Sequence, residues 1–436
     1  MKILLVTLLA ANLVSFVFLG FFPEFFLALL FSLLLLTLVS SFRLLQQSIN
    51  YRKKKQNIIF IISLSFLFLL VSYISEIRWS LNPFGMLDAY AMWVGKGRML
   101  ALSILDGNPL PIWNKYWRMP NYPLGIPFLH ADLSLVFSSL SEFLITLKIP
   151  NYLYLVLLYF FLIERTLDLQ KSVVKWGFLI MIGAFLFHPN YLLVISDLCA
   201  DFPVSVTIAI ATYFLIKRDK EKDFYWIFFA IALLINLKSE ALLISIVLCG
   251  FYILYAVIEK TFKIQFFMIA LLLLVLFGSP TWYLFGKGSF LSSDFKGINQ
   301  SSSHTSFIIE RLLDGDLWYL VTKFFLKFYL TLTKGLSFVL LAIVLIWGSL
   351  NLRIGVLFYF VSVSIYTGIF LLTSLDPQVH LEQAYDRIHF QLFLIPLVIF
   401  GEFGKENEEV ITKGFTGFRN ELIKQFKRMI HKDLKK

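Results

Sequence analysis

Apolar runs about twenty residues long recur along most of this chain, and they constrain its fold more than any other feature. Such a run can cross the hydrocarbon core of a bilayer as one α-helix. Apolar and aromatic residues make up 58% of the 436 residues and charged residues only 15%, whereas a soluble domain has about 45–50% and about 25%. A disordered chain, a disulfide-rich secreted domain and an ordinary cytosolic enzyme are therefore excluded. The sequence predicts an all-α polytopic membrane protein.

The apolar runs divide into about twelve predicted transmembrane helices. They lie at about residues 1–22, 25–42, 57–75, 143–163, 176–191, 203–216, 224–237, 241–258, 265–285, 336–350, 354–373 and 388–400. An even number places both termini on one side, and Lys and Arg concentrate in the segments on that side, which is typical of the cytoplasm. This asymmetry explains the excess of 39 basic over 28 acidic residues, so no nucleic-acid partner is expected.

Three regions follow from this topology. Residues 1–56 form a predicted helical hairpin with a basic cytoplasmic loop, residues 57–403 a transmembrane catalytic domain, and residues 404–436 a basic cytoplasmic tail. Long outer loops are predicted at about 76–140, 286–335 and 374–387. Ionisable groups at the ends of spans are the best functional candidates in such a protein, and here they all fall on the outer side.

One charged segment is predicted to lie on the membrane surface rather than to span it. Asp316, Lys323, Lys327 and Lys334 recur at offsets of 0, 7, 11 and 18 residues, which places them on one stripe of an α-helix. The opposite face is apolar. This pattern is typical of an amphipathic interfacial helix, with all three lysines exposed to water on the outer side.

Two charged residues of the first outer loop are candidate catalytic or binding groups. Asp88 is surrounded by apolar residues, where it could be a general base, a metal-binding carboxylate or the N-cap of a helix. Lys96 lies eight residues later on about the same helical face. It could bind a phosphate group as a point charge or be a solvated lysine at the interface.

Further charged residues lie at the outer ends of the central spans. Asp201, four residues after Asp197, could face Asp88 across a cleft as a second acidic group or cap a helix through its dipole. Lys238 and Glu240 lie at a tight junction between two spans. They could simply form an ion pair that closes the turn, or Lys238 could hold an anionic headgroup.

The remaining candidates flank the first and last outer loops. Tyr122 directly precedes a proline, and a residue pair of this kind more often shapes a loop than contacts a substrate. His130 follows in the same loop, and a single histidine is usually just hydrogen-bonded. His380, Asp386 and Arg387 lie in a polar segment that leads into the last span. Arg387 could clamp a phosphate through its planar guanidinium or form an ion pair with its neighbours.

The chain contains no signature of soluble nucleotide chemistry. It lacks a Walker loop and the HExxH, GxSxG and zinc patterns, each of which has a defined catalytic or binding context. Cys199 and Cys249 have no metal-ligand spacing and are expected to be packing residues. We expect no tightly bound cofactor, and the sequence leaves the involvement of a divalent metal open.

Five short motifs occur in a fixed order between about residues 57 and 403. Residues 88–98 resemble D-A-W-x-x-W-x-x-K-A-R, and residues 119–127 resemble H-P-D-Y-P-L-x-x-P. Residues 200–203 match A-D-x-P, residues 238–241 resemble K-N-E-G, and residues 380–387 match H-L-x-x-x-x-D-R. The departures include Tyr90, Met119, Asn121, Ser239 and Ala241, in place of Trp, His, Asp, Asn and Gly. In this order the chain resembles bacterial GT-C membrane glycosyltransferases that use polyprenyl-phosphate sugars. It is most similar to the rhizobial lipopolysaccharide-core branch, and more distantly to aminoarabinose transferase and protein mannosyltransferases.

The resemblance implies a GT-C-like fold and an inverting transfer of sugar at the outer face of a bacterial inner membrane. Its partners would be a polyprenyl-phosphate sugar, a glycan, lipid or protein acceptor, and membrane lipids. The implied catalytic residues are Asp88, as general base, and Asp201; the donor phosphate would contact Lys96, Lys238 and Arg387, and substrate would contact Tyr122, Glu240 and His380. The departures at Met119 and Asn121 remove support for a metal there.

Two other functions are compatible with the same spans. A transporter or flippase of lipid-linked saccharides predicts broken helices with ionisable groups near the bilayer midplane, and two repeated halves. For an oligosaccharide polymerase or ligase, we expect a long outer loop late in the chain that is rich in Arg. Residues 286–316 contain only Lys287, Lys296 and Arg311 as basic residues, so the glycosyltransferase is favoured.

Overall fold

A computed structural model describes residues 1–21, 55–81, 89–106, 122–137, 148–217, 224–259, 264–282, 304–372 and 376–433. These residues form helices and short connections, without a strand among them, which confirms the all-α prediction. The helices are α1 (Lys2–Phe21), α2 (Lys55–Leu81), a π-helical turn (Ala89–Val94) running into α3 (Gly95–Leu105), α4 (Gly125–Phe137), α5 (Ile149–Asp168), α6 (Ser172–Leu186), α7 (Pro189–Ser196), α8 (Asp201–Ile216), α9 (Phe224–Leu237), α10 (Ser239–Ile258), α11 (Ile264–Phe277), α12 (His304–Leu313), α13 (Gly315–Tyr329), α14 (Leu332–Trp347), α15 (Leu350–Leu371), α16 (Pro377–Phe390), α17 (Ile395–Glu406) and α18 (Glu408–Asp433).

Four described helical segments are long and apolar enough to cross a membrane. They are Asn57–Leu81, Ser239–Ile258, Leu350–Leu371 and Pro377–Glu406. The number rises to six if each of two bent pairs, α6 with α7 and α13 with α14, is one span. The prediction of about twelve spans is not confirmed, since other predicted spans, such as Asp201–Ile216 and Phe267–Phe277, are apolar helices of 10–17 residues.

Helix α8 lies at the centre of the described bundle. All of its sixteen residues are buried, and it packs against α5, α9, α15 and α17. A helix that is apolar on every side is stable only when neighbours cover its whole surface. Its first residue, Asp201, is therefore carried into the interior of the protein.

Two hydrogen bonds fix the end of α7, which leads into α8. The indole N–H of Trp79 on α2 donates to the Ser196 carbonyl over 2.6 Å, and the Asn151 amide on α5 donates to the Ile195 carbonyl over 2.7 Å. The connection then passes through Leu198 at φ 57°, a backbone region that non-glycine residues seldom adopt. These contacts determine where Asp197 and Asp201 enter the bundle.

The described part of the first predicted outer loop is helical and packs into the bundle. Helices α3 and α4 approach closely at Gly97, where an added Cβ would lie 2.6 Å from the Pro127 carbonyl oxygen. At Gly125 an added Cβ would lie 2.4 Å from the Asn236 carbonyl oxygen, so only glycine allows α4 to begin against the end of α9. Trp93 and Lys96 are buried by this packing.

The last predicted outer loop, 374–387, is mostly helix. The Asp376 side chain accepts a hydrogen bond from the Val379 N–H over 3.0 Å, and Pro377 occupies the first turn. Both residues favour a helix start. Helices α16 and α17 together form the apolar segment Pro377–Glu406. Helix α16, its N-terminal part, carries His380, Asp386 and Arg387.

The predicted amphipathic stripe is correct over α13 and wrong at Lys334. Asp316, Lys323 and Lys327 are exposed, whereas Lys334 is only 4% exposed. The reason is a break: α13 ends at Tyr329, and the chain bends by 88° before α14. The periodicity of 100° per residue holds only within a continuous helix, so it cannot be carried across this bend.

Candidate functional site

Asp201 is the centre of a buried cluster of charges. One oxygen, Oδ1, accepts hydrogen bonds from Lys238 Nζ over 2.8 Å and from Gln391 Nε2 over 2.6 Å. The other, Oδ2, accepts from Arg387 Nη2 over 3.0 Å and from Nε over 3.3 Å. The side chain is 2% exposed. Both oxygens are thus engaged by donors from the ends of α9 and α16.

The charge of Asp201 is set by this arrangement. Burial alone would raise the pKa of its carboxyl, but Lys238, Arg387 and the Gln391 hydrogen bond together hold the pKa below its usual value. A carboxylate that accepts several hydrogen bonds is stabilised in its ionised form. Asp201 is therefore suited to holding two cations in place and is a weak proton acceptor.

Lys238 joins two carboxylates at the start of α10. Its Nζ lies 2.8 Å from Asp201 Oδ1 and 3.6 Å from Glu240 Oε1. Burial lowers the pKa of the ammonium, and the two carboxylates more than offset this, so the pKa stays above its ordinary value. The backbone of Lys238 is extended, and α10 begins at the next residue, which places the Lys238 ammonium between the carboxylates of Asp201 and Glu240.

Tyr122 connects the first predicted outer loop to this cluster. Its hydroxyl donates to Glu240, with both carboxylate oxygens at 3.0 Å. The Trp93 ring packs edge-on against Tyr122, with 5.5 Å between the centroids. The Glu240 side chain is 19% exposed and the Arg387 side chain 20%, so this edge of the cluster lies at the protein surface.

The structure brings together five of the residues proposed from sequence, namely Tyr122, Asp201, Lys238, Glu240 and Arg387. Lys96 lies on α3, where burial lowers the pKa of its ammonium to about 7. His380 lies on α16, two helical turns before Arg387, with its ring 5.0 Å from the Phe370 ring. Asp88 lies outside the described residues, so its role stays a prediction.

Two polar residues of the site were not selected from sequence. No sequence motif marks Gln391, which lies at the end of α16 and within the predicted last span. Asp197 was recognised only as the neighbour of Asp201, yet it is buried at the end of α7. Burial raises the pKa of its carboxyl to about 6, although Arg387 and Arg78 act in the opposite direction.

The two neighbouring carboxyls therefore differ in protonation. Asp201 is held ionised by its four hydrogen bonds, whereas Asp197 titrates close to neutral pH. Pairs of acidic groups whose environments separate their pKa values are characteristic of sites that move protons. A group that titrates near the working pH is also the most effective general acid or base.

The elevated pKa of Asp197 predicts a pH-dependent stability. The pKa of Asp197 in the folded protein, about 6, exceeds the ordinary value. The protonated carboxyl therefore stabilises the fold fully below the unfolded-state pKa, and this contribution is lost as the pH rises through about 6. We expect Asp197→Asn to raise the free energy of unfolding at pH 8 by up to about 3 kcal/mol. The gain should shrink toward pH 4 in unfolding titrations of the detergent-solubilised protein. A variant less stable than wild type at pH 8 would contradict the assignment.

The described cluster combines fixed cations with helix N-termini. Within the described ranges, no group of three or more His, Cys, Asp or Glu side chains is arranged to hold a metal ion. Lys238 and Arg387 flank Asp201 instead, and α8 and α10 both begin here, so their positive dipole ends converge. Helix N-termini together with fixed cations favour phosphate groups.

Comparisons of the chain with known protein families, with curated proteins and with solved structures found no match.

Proposed function

We propose that this protein is a membrane glycosyltransferase that moves a sugar from a polyprenyl-phosphate donor to a glycan, lipid or protein acceptor. The observation that carries the proposal is the buried cluster of Asp201, Lys238 and Arg387. Its members come from three separate motifs of the series that resembles GT-C glycosyltransferases, and they meet in space. The proposal includes about twelve spans, an inner-membrane location, cytoplasmic termini and a site on the outer face.

In this proposal the cluster neutralises the phosphate of the donor. Lys238 and Arg387 are cations held in fixed positions by Asp201, and preorganised charges of this kind stabilise the charge that develops on a leaving group. The glycosidic C–O bond to the phosphate breaks, and polyprenyl phosphate leaves with the bonding electrons. We propose that Lys96 also contacts the donor phosphate, and that Tyr122, Glu240 and His380 contact substrate.

The proton of the acceptor hydroxyl needs a base. By resemblance this base is Asp88, and attack by the deprotonated oxygen inverts the anomeric carbon. A general base contributes about 10²–10⁴-fold to the rate. Asp201 is a positioning residue in this scheme, because its oxygens already accept hydrogen bonds from Lys238, Gln391 and Arg387.

A second candidate function is a flippase of lipid-linked saccharides. The observation that favours it is a set of interrupted helices: α6 and α7 meet at 67°, and α13 and α14 meet at 88°. Broken helices with charged residues at the break are a feature of transporters. A flippase moves the intact lipid-linked saccharide, whereas a transferase cleaves the sugar from its phosphate.

Mass spectrometry of cell-surface glycans tests the proposed function. Cells that lack this protein should lose one sugar residue from a surface glycan, glycolipid or glycoprotein, and the lost mass identifies the class of sugar, such as a hexose or a deoxyhexose. Wild-type protein should restore that mass. An unchanged set of glycan masses in the deletion strain would contradict the proposal. Loss of a whole repeating unit, rather than one sugar, would favour the flippase.

A further inference from the structure

A small cavity lies where three interruptions of the helices meet. The interruptions are the bend between α6 and α7, the bend between α13 and α14, and the turn between α16 and α17. The cavity is lined by aromatic side chains and by Lys334, Ser337 and His389. The residues that form the Asp201 cluster do not line it. It is therefore a separate site within the same bundle.

Lys334 places a buried cation beside this cavity. Its Nζ lies 3.0 Å from the centroid of the Phe328 ring and 4.4 Å from that of Phe390. Asp386 attracts it electrostatically, but no carboxylate in the described part of the chain forms a salt bridge with it. Ring faces attract a cation only weakly, and a buried charge is costly unless it is paired. A buried lysine without a partner can also lose its proton, and a bound counter-ion would stabilise the charged form of Lys334.

The imidazole of His389 supplies a hydrogen-bonding group at the same place. Its Nδ1 is hydrogen-bonded to the Tyr329 hydroxyl over 2.6 Å, while Nε2 is buried without a partner in a residue that is 1% exposed. When the Tyr329 hydroxyl donates to Nδ1, the ring proton lies on Nε2, which is then a donor. His188, which precedes α7, also has a buried ring nitrogen without a partner, and it interacts electrostatically with Lys334.

We propose that this cavity binds one small monovalent anion of the chloride class, as the counter-ion of Lys334. The cavity has room for about one water-sized particle, which is closer to the size of a halide than to that of a phosphate or sulfate. The apolar lining disfavours a multiply charged oxyanion, since removing its water costs far more than dehydrating a monovalent ion. The cavity also adjoins the first turns of α14, which contain Lys334 and Ser337, and a helix N-terminus favours an anion.

The stability of the purified full-length protein in different salts tests this site. The unfolding midpoint is measured in detergent at constant ionic strength while sodium gluconate is replaced by sodium chloride or sodium bromide. We expect a saturable rise with chloride and bromide in wild type and none in Lys334→Met. In gluconate, Lys334→Met should be at least as stable as wild type, because it removes a buried unpaired charge. His389→Gln should raise the half-saturating chloride concentration about tenfold, the equivalent of about 1.4 kcal/mol.

Lys327→Met is the matched control, because Lys327 also lies over a phenylalanine ring, 5.8 Å from the centroid of Phe324, but is exposed. It should keep the full chloride dependence. Bromide-soaked crystals of the wild-type protein give a measurement that needs no variant: one anomalous peak is expected beside Lys334 and His389. The proposal is overturned if wild type is equally stable in gluconate and chloride, if Lys334→Met keeps the chloride dependence, or if bromide gives no peak in this cavity.

Discussion

Asp201→Asn is expected to lower the free energy of unfolding by about 3–5 kcal/mol, the cost of leaving buried charges without their partner. The substitution keeps the volume of the side chain but removes the negative charge. Lys238, which is buried, and Arg387, which is mostly buried, would then have lost the carboxylate that pairs with both. The measurement is an unfolding titration of the detergent-solubilised protein.

A second buried aspartate provides the control for this prediction. Asp132 on α4 accepts hydrogen bonds from the Ser15 hydroxyl, and burial raises the pKa of its carboxyl well above the ordinary value. Burial thus favours the neutral form of this side chain, and Asp132→Asn should change stability by about 1 kcal/mol or less. Adding Lys238→Met to Asp201→Asn should recover part of the loss, because it removes a buried ammonium that has lost its shorter carboxylate contact and keeps Glu240 at 3.6 Å. Equal effects at Asp201 and Asp132 would show that the Asp201 charge is unimportant.

Lys238→Met is expected to reduce the rate of sugar transfer by about 10²–10³-fold, the loss that follows removal of one preorganised donor to a developing negative charge. The fold should be retained, because Asp201 keeps its contacts with Arg387 and Gln391 and Glu240 keeps its hydrogen bond from Tyr122. The rate is measured with a polyprenyl-phosphate sugar as donor, and Tm is measured in parallel.

The appropriate control for Lys238 is an exposed lysine far along the chain. Lys323→Met on α13 removes the same charge from an exposed position and should leave transfer unchanged. Lys238→Arg, which keeps the charge, should recover part of the rate. A Lys238→Met protein that transfers sugar at the wild-type rate would show that Lys238 only closes the turn between α9 and α10.

The helical class and much of the cluster could be predicted from the sequence because both depend on information local in the chain. Apolar runs identify helices that must be buried in lipid or protein. Charged residues at the ends of such runs are rare enough to be noticed, which is how Asp201, Lys238 and Arg387 were found. Their pairing could not be predicted, since it depends on how α8, α10 and α16 pack.

The departures from prediction have identifiable physical causes. The predicted span 176–191 is interrupted at His188-Pro189, because the residue before a proline is disfavoured in a helix, and α6 ends before it at Leu186. Lys334 was placed on an exposed stripe because the bend after Tyr329 has no proline or glycine between Leu330 and Lys334 to signal it. Its burial is a consequence of tertiary packing that a helical periodicity cannot reveal.

The difference between Asp197 and Asp201 also lay beyond the sequence. Both are aspartates near the end of a helix, four residues apart, and each alone fits a helix cap. Only the packing of Lys238 and Arg387 against Asp201 separates their protonation states. The different protonation of these two carboxyls therefore follows from the three-dimensional arrangement and could not be predicted from the sequence.

The most direct test of the proposed transferase activity is a transfer assay with the purified protein in proteoliposomes. Polyprenyl phosphate carrying a labelled sugar is the donor, and an envelope extract from cells that lack the protein supplies the acceptor. We expect the label to move to the acceptor while free polyprenyl phosphate is released in equal amount, and Lys238→Met to reduce both by about 10²–10³-fold. Labelled lipid that crosses the bilayer with its sugar intact, with no polyprenyl phosphate released, would contradict this expectation.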